Sequence, residues 1–87
     1  MRRRVLVHGR VQGVFFRDSL RRLADRNGVS GWARNTLEGA VEAVFEGEPD
    51  AVERLVSFAH TGPPQAHVDA VDVHEEEPEG FSGFSIR

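Results

Sequence analysis

Residues 30–46, SGWARNTLEGAVEAVFE, contain the pattern that decides the fold of this chain. Residues 30–34 surround Trp32 and form a short strand candidate, and residues 35–39 have the composition of a turn. In residues 40–46 every second residue is apolar, which is typical of a half-buried strand. We therefore predict a β-hairpin at the centre of the chain.

The hairpin lies between two segments with helical periodicity. The apolar residues of the first segment recur at i, i+4, i+7 and i+8, and they are Phe16, Leu20, Leu23 and Ala24. Gly28 follows at the position expected for a helix stop. The second segment begins at Pro49, ends at Gly62-Pro63-Pro64, and has one apolar face, made of Val52, Leu55, Val56 and Ala59. Both segments are predicted to be helices.

Two further strands complete the predicted order. Residues 4–8 alternate weakly, and residues 68–74 alternate with a phase slip between Val68 and Val71 that indicates a bulge. The order β-α-β-β-α-β, with two right-handed crossovers, predicts an antiparallel sheet with both helices on one face. This is the α+β ferredoxin-like sandwich, with a possible short fifth strand at residues 82–86. We expect one domain, residues 1–87.

Composition limits the class of protein. The 87 residues include no cysteine, so disulfides and thiolate metal sites are excluded. The apolar run Val5–Val7 is too short for a signal peptide, and no stretch approaches the length needed to cross a membrane. We expect a soluble, cytoplasmic protein without a membrane partner, and a monomer, since a small closed sandwich is monomeric by default.

The charges are divided unevenly along the chain. Residues 1–36 carry nine arginines against two aspartates, a net +7, and residues 37–87 carry two arginines against twelve acids, a net −10. Two interpretations remain open: two solvated faces, which charge alone favours, or a first half that handles an anion.

The loop GRVQGVFFR, residues 9–17, joins the first strand to the first helix. Such a loop can point backbone N–H groups inward, and the helix start adds unpaired N–H groups with partial positive charge. Arg17 adds a forked cationic donor suited to a phosphate-like anion. The loop is therefore a candidate phosphate cradle, although a tight turn with a surface arginine is an equal alternative. It is not a P-loop, because the G-x-x-x-x-G-K-[ST] pattern is absent.

Metal chemistry finds no support in the sequence. The four histidines are scattered without a metal-ligand spacing such as H-x-x-x-H, and they are His8, His60, His67 and His74. We predict no metal site.

The sequence resembles the acylphosphatase family. The family's first signature, G-x-[VI]-Q-G-V-x-[FM]-R, matches residues 9–17, and its second matches Gly31-Trp32-Ala33-Arg34-Asn35 followed by Gly39, Val41 and Gly47. The resemblance covers essentially the whole chain. It implies a hydrolase that converts acyl phosphates to a carboxylate and inorganic phosphate without a metal or cofactor.

The resemblance also implies a role for particular residues. Arg17 and the loop amides would bind the phosphate, and Asn35 would hold the attacking water, so that Arg17 and Asn35 are the expected catalytic residues. Thr36 would be a supporting neighbour at most. The expected phosphate-binding residues are Gln12, Gly13, Val14, Phe15, Phe16 and Arg17.

The chemistry of acyl phosphates agrees with this set. Residues 9–17 and 31–39 contain no acid except Glu38. The leaving group is a carboxylate whose parent acid has a pKa of roughly 4, so it can depart without a general acid. Phosphoryl transfer depends mostly on positioning and charge stabilisation. The water proton would pass to the phosphate or to solvent.

Two functions of other classes stay open. RNA-recognition domains share this topology, but the RNP1 pattern is missing and the net charge is −3, so we expect no nucleic-acid partner. The second alternative is a non-catalytic module that binds a small anion or carbamoyl phosphate. The presence of both Arg17 and Asn35 favours the enzyme.

Overall fold

The computed structural model describes residues 1–87 and contains five strands and two α-helices. The elements are β1 Arg2–Arg10, α1 Phe16–Asn27, β2 Ser30–Asn35, β3 Val41–Glu46, α2 Pro49–Ala59, β4 His67–Glu76 and β5 Phe84–Ile86. The predicted hairpin is confirmed as β2 and β3, with Trp32 paired to Val44. The predicted order, with its optional last strand, is also confirmed.

The strands form one sheet in the order β4-β1-β3-β2-β5. Strands β1 to β4 are antiparallel to their neighbours, as predicted, whereas the optional strand β5, whose direction was not predicted, pairs in parallel with β2. The reason is geometric. Strand β4 finishes at the same end of the sheet at which β2 begins. Residues 77–83 cross along that end, so β5 starts there and runs in the same direction as β2.

The observed boundaries differ little from those predicted. Helix α1 ends before Gly28 and α2 starts at Pro49, as expected. Strands β1 and β4 extend further at both ends than the apolar pattern indicated, because the added residues pair through their backbones. The predicted bulge lies at Asp69, where the register shifts between His8 and Gly9.

The core lies between one face of the sheet and both helices. Val5, Val7, Ala43 and Phe45 point from the central strands into this layer and are fully buried. The helices contribute a set of buried apolar residues: Phe16, Leu20, Ala24, Ala51, Val52, Leu55, Val56 and Ala59. This packing fixes the start of α1, and with it Arg17, against the sheet.

Gly31 allows the central hairpin to close. Its φ is +138°, and a Cβ atom there would lie 1.8 Å from the carbonyl oxygen of Val44. Any side chain would therefore push β2 away from β3, and the end of β2 carries Asn35.

The opposite face of the sheet, called here the open face, carries Arg2, Arg4, Trp32, Arg34, Glu42, Val44, Glu46 and Glu76. Trp32 is buried there beneath the guanidinium groups of Arg4 and Arg87, at 5.4 and 4.4 Å from its ring centroid. Neither helix of the protein has the length and apolar character that a membrane crossing requires.

Candidate active site

A pocket of about 260 Å³ lies where the loop of residues 9–17 meets the ends of β2 and β5. The loop and the first turn of α1 supply Val11, Gly13, Phe15, Phe16, Arg17 and Asp18, and the strands supply Asn35 and Ile86. Arg17, at the start of α1, and Asn35, at the end of β2, therefore share one pocket.

The loop has the backbone geometry of an anion cradle. Gly13 and Phe15 both adopt left-handed conformations, with φ of +75° and +63°. A Cβ at residue 13 would meet no atom within 4 Å, so the backbone angle alone favours glycine there. No main-chain N–H group of residues 12–18 donates a hydrogen bond to another protein group. A run of free donors of this kind, at a helix start, suits an anion with several oxygens.

Arg17 lies in the first turn of α1, beside these free N–H groups. Its Nη1 donates a hydrogen bond of 3.2 Å to the main-chain oxygen of Arg87, the residue after β5. No side chain caps the start of α1. A guanidinium has five N–H donors, so the others stay available to a ligand while the contact with Arg87 restrains the side chain.

Asn35 is the last residue of β2 and lines the pocket. Its Oδ1 is buried and accepts no hydrogen bond from the protein. A buried acceptor left in this way costs about 1–3 kcal/mol, so it is an unusual feature of a folded chain. A water molecule or a ligand group that donates to Oδ1 would remove that cost.

Gln12 connects the loop to the turn that follows Asn35. Its Nε2 donates to the carbonyl oxygens of Thr36 and Ala40, both at 2.9 Å. Thr36 in turn accepts a hydrogen bond of 3.1 Å at Oγ1 from the N–H of Ala40. The side chain of Gln12 thus holds the cradle in register with Asn35, and any contact of Gln12 with phosphate would be through its N–H.

The structure therefore places the predicted site residues in two groups. Gly13, Phe15, Phe16, Arg17 and Asn35 line the pocket. The side chains of Gln12 and Val14 do not, since that of Val14 is buried in the core. The roles assigned to all seven residues stay predictions.

Three pocket residues were not predicted from the sequence: Val11, Asp18 and Ile86. The carboxylate of Asp18 accepts hydrogen bonds from Arg21 at 2.9 Å and forms an ion pair with Arg22 at 3.0 Å. The i+3 and i+4 spacing of these arginines could have indicated the pairing. Ile86 reaches the pocket through the parallel pairing of β5, for which the sequence carried no signal.

Metal ligands are not grouped anywhere in the protein. No set of three or more histidine, aspartate or glutamate side chains is placed to share an ion. The donors that the pocket offers are N–H groups and a guanidinium, which suit an anion.

Comparison with known proteins agrees with this geometry. A family model described as Acylphosphatase matches residues 3–86. A protein of Rubrobacter xylanophilus named acylphosphatase is 60% identical over 97% of this chain and 77% of its own, and one of Thermococcus kodakarensis is 52% identical over 99% and 94%. The structure of an acylphosphatase from Coxiella burnetii superposes with a TM-score of 0.94 at 42% identity, covering 99% of this chain and 90% of its own. The chain belongs to the acylphosphatase family.

Proposed function

We propose that this protein hydrolyses acyl phosphates to a carboxylate and inorganic phosphate, by attack of water at phosphorus. One observation carries the proposal. A single pocket of about 260 Å³ is lined by Arg17 and a loop with free main-chain N–H groups, and by Asn35, whose buried Oδ1 has no protein partner. The first set of groups binds an anion, and the second holds a water molecule beside it.

The phosphate end of the substrate would lie in the cradle. The N–H groups of residues 12–16 surround its oxygens, and Arg17 contacts two of them through its planar fork. The charge that develops on these oxygens during transfer is stabilised by groups that are already in place, because the loop is fixed by Gln12 and Arg17 is restrained by Arg87.

The attacking water would be held by Asn35. An amide cannot remove a proton, but Oδ1 accepts a hydrogen bond from the water and directs its lone pair to phosphorus. The new bond forms between the water oxygen and phosphorus, and the bond between phosphorus and the acyl oxygen breaks. The electron pair leaves with the carboxylate, and the water proton passes to the phosphate or to solvent.

The leaving group needs no acid from the protein. A carboxylate whose parent acid has a pKa of roughly 4 is stable as an anion at neutral pH. Asp18, the one carboxylate that lines the pocket, is held in ion pairs with Arg21 and Arg22. Glu38 lies outside the pocket. An alkyl phosphate, which must release an alkoxide, would find no proton donor here.

The alternatives fit the structure less well. A nucleic-acid module of this topology stacks bases on aromatic residues of the sheet face, but Trp32 is only 6% exposed and lies beneath two arginines. A non-catalytic anion-binding module is not favoured by the relatives named acylphosphatase, which include several at 50–60% identity. The proposal includes a cytoplasmic monomer that acts without a cofactor, and light scattering would test the monomer.

The test of the proposal compares two classes of phosphate. Release of phosphate from benzoyl phosphate and from glucose 6-phosphate would be measured with EDTA present throughout. We expect rapid turnover of the acyl phosphate and almost none of the sugar phosphate. Equal rates on both, or loss of activity on chelation, would overturn the proposal.

The site of attack has its own test. Turnover in H₂¹⁸O should place one labelled oxygen in the phosphate and none in the carboxylate, as read by mass spectrometry. Label in the carboxylate would mean that water attacks the acyl carbon, and the role proposed for Asn35 would then be wrong.

A further inference from the structure

A second pocket, of about 420 Å³, adjoins the first. It lies between the start of α1 and residues 63–65, which precede β4. Phe15 and Asp18 line both pockets, so the two share a wall. The second pocket is therefore the space next to the phosphate cradle.

Phe15 is the conspicuous residue of that shared wall. Its side chain is 73% exposed, although phenylalanine ordinarily contributes to a core. Its backbone has φ of +63°, a conformation that costs a residue with a side chain on the order of 1 kcal/mol or more. Strain of this kind concentrates at ligand-binding sites, and here it turns an aromatic ring outward beside the cradle.

The direction of the reaction makes the second pocket relevant. In phosphoryl transfer the attacking and leaving oxygens lie roughly in line, on opposite sides of phosphorus. Asn35, which would hold the water, lines the first pocket but not the second. The acyl group must depart on the side of phosphorus opposite the water, and the second pocket, which Asn35 does not line, adjoins the cradle at Phe15 and Asp18.

The surface of the second pocket indicates which acyl groups it suits. Phe15, Pro63 and Pro64 supply apolar atoms, beside the polar residues Ser19 and Gln65. The charges of Asp18 and Arg22 are 3.0 Å apart and neutralise one another. An apolar acyl group could contact this surface at a small cost in desolvation of charged groups. A small acetyl group would not fill a space of about 420 Å³.

We propose that the second pocket is the acyl-binding subsite, and that Phe15 makes the enzyme prefer acyl phosphates with an apolar, planar acyl group such as benzoyl. This inference rests on the proposed function and names the substrate class that the same site selects. Phe15 acts by contact of its ring with the acyl group, and its N–H remains part of the cradle.

The experiment measures kcat/KM for benzoyl phosphate and for acetyl phosphate, and takes the ratio of the two. Both substrates carry the same phosphate, so a disturbance of the cradle cancels in the ratio. Phe15→Ala should lower the ratio roughly tenfold, the effect of losing one aromatic contact. Phe15→Tyr, which keeps the ring, should retain the ratio of the wild type.

Leu37→Ala is the matched control. Leu37 is the other exposed large apolar residue, and it lines neither pocket. Its removal should leave the ratio unchanged. A ratio in Phe15→Ala within twofold of the wild type, or an equal fall in Leu37→Ala, would overturn the inference. If the wild type hydrolysed neither substrate, the proposed function itself would be wrong. If it hydrolysed both substrates, and substitution of Phe15 left the ratio unchanged, only the proposed subsite would be wrong.

Discussion

On the open face of the sheet the charged groups are paired with one another, whereas at the pocket the main-chain N–H groups of residues 12–18 and the Oδ1 atom of Asn35 have no protein partner. Glu46, which is 9% exposed, accepts hydrogen bonds from Arg2 and from the N–H groups of Glu79, Gly80 and Phe81. Asn35 Oδ1 is buried too and accepts none. The buried oxygen atoms of Glu46 are therefore hydrogen-bonded, whereas the buried oxygen atom of Asn35 is not.

The pKa values of the open face reflect this pairing. Hydrogen bonds hold the pKa of Glu46 below its ordinary value, although burial opposes them. The N–H of Glu79 has the largest effect, followed by the N–H of Gly80 and the guanidinium of Arg2. Hydrogen bonds from Arg4 and Arg2 likewise lower the pKa of Glu76.

Displaced pKa values often mark active sites, but structural ion-pair networks displace them as well. In this protein, the open-face carboxylates with lowered pKa values belong to a network that ties residues 79–81 to the sheet, and the candidate pocket is recognised instead by groups without protein partners. Donors and acceptors without protein hydrogen-bond partners are therefore a better guide than shifted pKa values to a site that binds an anion through its backbone.

The largest expected effect is in the pocket, at Arg17. Arg17→Lys keeps the positive charge but loses the planar fork, so kcat/KM for an acyl phosphate should fall roughly 1,000-fold, the scale of removing a preorganised donor. Arg21→Lys is the matched control, because Arg21 lies on the same helix and does not line the pocket. Steady-state kinetics on both variants would measure the difference, and similar rates would contradict a fork on the phosphate.

Asn35→Ala should lower kcat at least roughly 100-fold, since one positioned polar group is lost from the transition state. The same change removes the unpartnered buried oxygen, so the melting temperature should not fall by more than a few degrees. Kinetics and a thermal scan on one preparation give both readings. A variant that turned over normally would show that the free acceptor has no part in the reaction.

A change on the open face should lower the stability of the protein and leave its catalytic rate unchanged. Glu46→Gln removes a buried carboxylate with four donors, while Arg2 keeps its contacts with Glu76 and Glu79. We expect the free energy of unfolding to fall by about 2 kcal/mol, within the range for hydrogen bonds to charged groups. For a domain of this size that lowers the melting temperature by roughly 10 °C.

The kcat of folded Glu46→Gln should remain close to that of the wild type, because residue 46 is outside the pocket. Glu53→Gln, at an exposed partner of Arg3, is the control and should change stability little. Equal stability of Glu46→Gln and Glu53→Gln would show that the network on the open face is not what holds residues 79–81.

The smallest expected effect is a change in the stabilising contribution of Glu46 at acidic pH. The folded pKa of Glu46 lies below the 4.5 of an unperturbed glutamate, so its stabilisation is complete above about pH 4.5 and is lost as the pH falls through the folded pKa. The difference in melting temperature between the wild type and Glu46→Gln should therefore shrink between pH 6 and pH 3. A difference that stayed constant would mean that the carboxylate is not stabilised by its partners.

Local patterns predicted most of the fold and part of the site. Helix α1, its end before Gly28 and the hairpin followed from periodicity and turn composition within short windows. The parallel placement of β5 did not, because it depends on where the chain crosses the end of the sheet. The signature motifs pointed to Arg17 and Asn35, but Gln12 contacts carbonyl groups 24 and 28 residues away, and no local rule predicts such contacts.

The most direct test of the account is a calorimetric titration of inorganic phosphate into the wild type, Arg17→Ala and Asn35→Ala. Arg17 and the cradle are proposed to bind the anion, and Asn35 to hold the water. We therefore expect a phosphate dissociation constant in Asn35→Ala within about threefold of the wild type and no measurable binding in Arg17→Ala, since charged hydrogen-bonding groups dominate anion affinity. Loss of phosphate binding in Asn35→Ala as severe as in Arg17→Ala would contradict that division of roles.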